Sequence, residues 1–394
     1  MATKKIKAFK GLQNVSDPLR LGLGWLAQAD NVDITDTGAL VRRHGYSLSL
    51  AGAFTASFST FDHQRMYVVD GGALKSIKDS TTASTLRVGL SNAPMRWAEI
   101  NDQVFYNNGV DSGIILPDDE VLDWRWDMPA TPVAVAVTGT LAPGVYQVRC
   151  TFVLADGRTT GASDAAEVEL AQGQALSVSD IPQVTGAKTQ VHIAPANSTV
   201  FQLAATTTRA ALVWNAPPEE LGADLLNTFF DPLPAGVREI QAWRGRLYAA
   251  QYFPDIGQSV VWFSEPLGFH LFDLNSAYFM VPGQVLMLAP HDDALIVGTD
   301  ARVYAYVGDK LTQLAPYGVV PGQHFAVDQD DGKTYFWTKR GLCAAMPFAN
   351  LTEKQISVSP GSHAGAAIVY HGGQKRYLAC LHAGGAAFNA FPTS

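Results

Sequence analysis

Short apolar segments separated by Gly, Asn and Asp turns recur along almost the whole chain, and this pattern constrains the fold more than any single motif. RMYVVDGGALKSI (65–77) reads as strand, Asp-Gly-Gly turn, strand, and QVFYNNGVDSGIIL (103–116) repeats the plan around Asn107-Asn108-Gly109. It returns in RLYAAQYF (246–253) with SVVWFSEP (259–266), and in ALIVGTDARVYAYVGD (294–309) around Thr299-Asp300. KTYFWTKRGLCAAMP (333–347), around Lys339-Arg340-Gly341, and KRYLACLHAGGAAFNAF (375–391) close the series. Few windows place apolar residues at helical spacing without a Gly, a Pro or a β-branched run interrupting them, so the expected class is all-β. In the C-terminal half the hairpins recur at roughly 40 residues, the length of one four-stranded propeller blade. Blades packed face to face around a closed circle leave only short, protected edges.

The middle of the chain has a different composition. From Pro129 to Asn215 aromatic residues thin out, and seven strand-like segments follow one another: PVAVAVTG, GVYQVRCTFVLADG, AAEVEL, ALSVSDIP, TQVHIAPA, VFQLAATT and AALVWN. In the second of these, Tyr146, Val148, Cys150, Phe152 and Leu154 share one face and Gln147, Arg149 and Thr151 the other, as in a half-buried strand. Seven short strands in this space predict an immunoglobulin/fibronectin III-like β-sandwich without a disulfide. The expected organisation is therefore a propeller-like body split in sequence, with its first part at residues 1–127, an inserted sandwich at 128–215 and the second part of the body at 216–394. At roughly 40–45 residues per blade the body has room for six or seven blades.

Composition narrows the function classes. Of 394 residues 16% are charged while 47% are hydrophobic, so the chain either hides much of its surface against partners or leaves a weakly charged exterior. The formal charge of −8 disfavours a general nucleic-acid binder, which needs cations to displace counterions from phosphates. It leaves room for DNA as a non-specific passenger, because an acidic channel wall keeps a moving duplex from sticking. No run of 18 apolar residues occurs, so no membrane span is expected, and MATKKIKAFKGL lacks the apolar core of a secretory signal. Cys150, Cys343 and Cys380 are odd in number and far apart, and are expected to be buried reduced thiols rather than a disulfide framework or a zinc site.

Several segments could carry chemistry, and each has a simpler account. DQDDGKTYFW (328–337) resembles the Asp-box turn of sialidase-type propellers, a structural turn outside the catalytic centre. An ordinary Asp-Gly turn explains it as well, and Asp328, Asp330 and Asp331 lack the spacing and distal Glu of a calcium loop. His291-Asp292-Asp293 reads as a solvated turn before a strand, since adjacent residues of an extended chain point to opposite faces. Ser362-His363 in GSHAG does not form a nucleophile elbow, and no phosphate loop or GxGxxG motif occurs. Arg42-Arg43-His44 reads as a subunit contact or a charged edge, and Trp124 and Trp126 as core or interface packing on one strand face. The expectation is no catalytic residue, no cofactor, no metal and no enzyme. Two alternatives remain: a carbohydrate- or receptor-binding propeller, with Trp124, Trp126 or Trp262 at a sugar site, and a propeller glycan hydrolase.

The opening FKGLQNVSD...AQADNVDITDTGALVRRHGY resembles the N-terminal signature of tailed-bacteriophage virion proteins, an Asn-Val strand, a Gly turn and a Leu-x-x-Arg-x-Gly segment. Further on, RGRLYAAQY...VVWFSEPLGFHLFD...VPGQVLMLAPHDDALIVGTDARVYAYVGD...GVVPGQHFAV...YFWTKRGLCAA is similar to the blade series of phage tail nozzle and packaged-DNA stabilisation proteins. These regions cover about two thirds of the chain. The resemblance implies a structural virion protein of the phage tail, made in the host cytoplasm. It would form a homo-oligomeric ring, a hexamer, around the DNA exit channel, with an adaptor above and fibres, spikes or a plug below.

Overall fold

The computed structural model describes residues 6, 8–43, 45, 47–79, 82–371 and 373–382. The architecture is all-β; among the described residues the only helical pieces are the 3₁₀ turns Pro18–Arg20 and Pro218–Glu220. The chain forms two compact units: Met1–Leu122 with Gly236–Val261 and Phe279–Ser394, and Asp123–Ala235 with Trp262–Tyr278.

In the first unit, five consecutive sheets have four strands in chain order, beginning at Phe54–Ser59, Arg96–Ile100, Glu239–Trp243, Val285–Pro290 and Ala326–Val327, and the sixth pairs His363–His371 with Gln374–His382. The second strand of a sheet is its most apolar: Tyr67, Val68 and Val69 are buried in succession, as are Val104, Phe105 and Tyr106, and Leu295, Ile296 and Val297. A strand reads apolar on both faces when its sheet is sandwiched between two others. Tyr67, Val69 and Leu74 of the first sheet meet Trp97, Tyr106 and Ile115 of the second. Met287, Ile296 and Ala305 of the fourth meet Phe336 and Cys343 of the fifth, and Trp337 of the fifth meets Ala364, Ala379 and Leu381 of the sixth. Between the third and fourth, Trp243 Nε1 donates to His291 O at 2.7 Å and Phe279 stacks on Tyr306. The first strands of all six sheets line one cavity of about 1590 Å³, so this unit is propeller-like.

The chain's opening segment joins its last sheets. Asn14 N–H donates to Gln355 O at 3.0 Å, and Asn14 Oδ1 accepts from Ser357 N–H at 2.6 Å. The hairpin Val32–Ile34/Leu40–Arg42 sends Asp33 to Arg376 at 2.7 Å, and Asp36 accepts from Gln374. Gly38 shapes this hairpin: its φ is +80°, and an added Cβ would lie 2.6 Å from that of Ala8, whose neighbour Phe9 donates to Gly38 O.

The second unit contains two sheets, with strand orders Val133–Thr138, Gln174–Ser179, Leu212–Trp214 and Ala166–Leu170, Gly144–Leu154, Ala187–Ala194, Gln202–Thr207. Tyr146, Val148, Cys150, Val191 and Ile193 of one pack against Leu176 and Val178 of the other. All seven segments read from the sequence are strands here. The sequence boundaries at 127/128 and 215/216 differ from the division of the structure, which also gathers 216–235 and the long loop after Phe263. That loop belongs with the insert because Phe272 exchanges two backbone hydrogen bonds with Asp231, and Phe269 O accepts from Trp124 Nε1 at 2.9 Å.

Candidate functional site

The cavity inside the first unit is the candidate site. Its wall mixes aromatic side chains, such as Phe58, Trp97 and Phe325, with Arg96, Glu239 and Asp328. Six strand ends and the loops beside them supply these groups. The sequence did not single out any of the six first strands as a lining element.

Most of the charged groups at the wall are spent on neighbouring sheets. Arg96 Nε of the second sheet meets Glu239 Oε2 of the third at 2.7 Å, both largely buried. Burial pushes the Glu239 carboxyl up, and the Arg96 guanidinium opposes that shift. The pair joins the first strands of the two sheets between which the insert lies in sequence. Asn107 Nδ2 donates to Val237 O at 2.7 Å at the same junction, so side chains bridge a gap that the backbone leaves open. Between the fifth and sixth sheets Lys375 pairs with Asp328 and, at 3.3 Å, with Asp330, which also accepts from Tyr370 Oη at 2.9 Å. Asp328 first, then Asp330, holds the Lys375 ammonium above its ordinary range. Away from the cavity, Asp119 of the second sheet accepts from Tyr67 Oη and Ser76 Oγ of the first, each at 3.0 Å.

His324 lies beside the first strand of the fifth sheet, fully buried between the cavity-lining residues Gln323 and Phe325 in sequence. Its Nε2–H donates to Val320 O at 2.8 Å and its Nδ1 accepts from Trp337 N–H at 3.0 Å, which fixes a neutral tautomer. Burial lowers its pKa to about 4. Glu99 lines the cavity, accepts from Phe61 N–H at 2.7 Å, and is raised by burial.

The residues singled out in the sequence lie apart. Asp328–Lys333 is the turn joining the first two strands of the fifth sheet, with Gly332 N–H donating to Asp328 O and Asp331 engaged by Lys333 and Tyr335. His291 caps a turn, its Nδ1 accepting from Asp293 N–H at 3.1 Å. Ser362 Oγ donates to His382 O, and His363 Nδ1 lies 3.4 Å from Ser362 Oγ. Arg43 reaches Asp33 at 3.3 Å, whereas His44 lies outside the described residues, as does 383–391 of the last hairpin segment. Two expectations need correction. Trp124 and Trp126 do not share a strand face, since the strand ends at Leu122 and Trp124 turns inward to be buried. Cys150 and Cys343 are buried but Cys380 is exposed, because Ala379 and Leu381 take the inward positions of its strand. Among the described residues no three His, Cys, Asp or Glu side chains gather as a metal site.

No family model matches the chain, and no curated protein matches it. Solved structures give weak likenesses. A functionally unknown protein from Desulfotomaculum acetoxidans aligns at TM-score 0.34 and 9% identity over 88% of this chain and 94% of that one. AztD from Citrobacter koseri aligns at 0.29 and 12% over 82% and 89%, and Kluyveromyces lactis Hsv2 at 0.31 and 10% over 82% and 88%. An extracellular domain from B. thetaiotaomicron aligns at 0.31 and 10% over 81% of this chain, which spans only 36% of that chain.

Proposed function

We propose that this chain is a structural subunit of a bacteriophage tail, a nozzle or tube-end component whose copies form a ring that guides or closes the DNA exit channel. The observation that carries this is the role of the opening segment. The residues that resemble the virion-protein signature, NVDITDTGALVRR, form the hairpin that is tied to the last sheet through Asp33–Arg376 and Asp36–Gln374. A signature with a structural role of this kind suits a shaped part, and the ionic ties between successive sheets suit one that keeps its shape under load. On either side of this hairpin in sequence Leu19 is 94% and Leu48 80% exposed, surface that a neighbouring copy or an adaptor protein would cover. DNA would pass as a non-specific passenger, consistent with the charge of −8. The inserted sandwich, taken as immunoglobulin/fibronectin III-like, would dock fibres or spikes.

The test is direct. Purified particles are analysed by mass spectrometry, and virions carrying labelled subunit are imaged; ring density at the tail end is the expected result. Absence of the chain from intact particles would overturn the proposal.

A further inference from the structure

The four edge strands of the sandwich are not equally protected. Open edges invite pairing, and proteins blunt them with charge, brevity, bulges or a covering segment. Ala166–Leu170 carries Glu167 and Glu169, and Leu212–Trp214 is only three residues long. Gln202–Thr207 is covered at its start by the segment after it: Leu203 N–H donates to Ala223 O at 3.0 Å, and Gly222 N–H to Leu203 O at 2.7 Å. Val133–Thr138 has none of these devices. It is six residues long, has no charge and no internal proline, pairs with Gln174–Ser179 without a register shift, and ends its sheet.

We propose that this edge is a strand-pairing site for a second copy of the chain, with Val133–Thr138 running antiparallel to its counterpart about Val135. The sequence of the strand selects that occupant. Residues 133–137 read VAVAV in both directions, so pairing about Val135 sets Val133 opposite Val137 and Val135 opposite itself, with Ala134 opposite Ala136 on the other face. The strand carries no charge, so pairing it with itself brings no like charges together along its length. The outer face adds apolar cover: Val135, 45% exposed, lies in register with Ser177 and then Val213, 61% exposed. One strand pair buries less than the roughly 1,600 Å² of a standard stable interface, so the contact is concentration-dependent. It is two-fold and therefore cannot propagate a ring around one axis; it goes beyond the ring proposal and stands without it.

The full chain is examined by analytical ultracentrifugation across a wide concentration range, as wild type and as Val135→Lys and Val135→Glu. In a Cys380→Ser background, Val135→Cys and Val213→Cys are oxidised. A species of twice the 42.3 kDa chain mass is expected for wild type. Each charged variant should weaken it at least tenfold, an equimolar mixture of the two should restore it, and cysteine at 135 but not at 213 should cross-link. Val133→Glu, also at an exposed position, serves if a Val135 variant misfolds by circular dichroism. Dimers that ignore these charges, or a wild type that stays monomeric with no cross-link at 135, would overturn the proposal.

Discussion

Acidification should loosen the propeller-like unit, and His324 is the group responsible. Both ring nitrogens are committed, with Nε2–H on Val320 O and Nδ1 facing the Trp337 N–H, so a second proton would have to enter between two donors. The folded pKa of about 4 lies below the ordinary value of about 6.5. The unfolded chain therefore binds the proton first as pH falls. The contribution is fully present above about pH 6.5 and is progressively lost towards pH 4. At 1.36 kcal/mol per unit, this amounts to about 3 kcal/mol. The assay is urea unfolding of wild type and His324→Gln between pH 7.5 and 4, following the transition of the propeller-like unit. His324→Gln should be less stable at pH 7.5 by about 2–3 kcal/mol, because buried partners lose a hydrogen bond. Its stability should then fall by about 3 kcal/mol less than wild type on acidification. Parallel pH profiles, or an imidazole of His324 that titrates near pH 6.5 by NMR, would refute the reasoning. His192 is lowered to about 4 in the same way, but it belongs to the sandwich and would act on that unit's transition.

Three further outcomes are expected. Arg96→Ala leaves Glu239 buried without its guanidinium and should destabilise the chain by about 3–5 kcal/mol in chemical denaturation, with Glu239→Gln in the same background recovering part of the loss. Gly38→Ala forces a Cβ against Ala8 at positive φ, so limited proteolysis should cut the opening segment faster than in wild type while the later sheets stay protected. A thiol reagent should label Cys380 alone in the native chain and all three cysteines after denaturation; burial pushes the Cys150 thiol up to about 12, which keeps it a poor nucleophile as well as an inaccessible one.

The central hairpins were legible because their strands are buried on both faces. MYVVD, QVFYN and LIVGT read as apolar runs wherever they stand, and their Gly, Asn and Asp turns mark the ends. The seven strands of the insert were legible for a related reason: one buried face gives alternation, as along Gly144–Leu154. The first strands were not. FTASFS and RWAEI face a cavity on one side and mix charge with apolar residues, so neither period is clean. The membership of the loop after Phe263 in the second unit was equally hidden, since it depends on hydrogen bonds to Asp231 and Trp124, more than thirty residues away.

The sequence by itself determined the class of element and its rhythm, because side-chain alternation and turn chemistry are local properties that act over a few residues. Only the tertiary structure decided which charges meet. Arg96 with Glu239, Lys375 with Asp328 and Asp33 with Arg376 are ordinary surface residues in a linear reading; the first two pairs form because successive sheets converge on one cavity, and the third because the opening hairpin comes to lie against the last sheet. The same convergence made His324 a buried, neutral group: desolvation depends on everything packed around a side chain, and no short stretch of sequence contains that information.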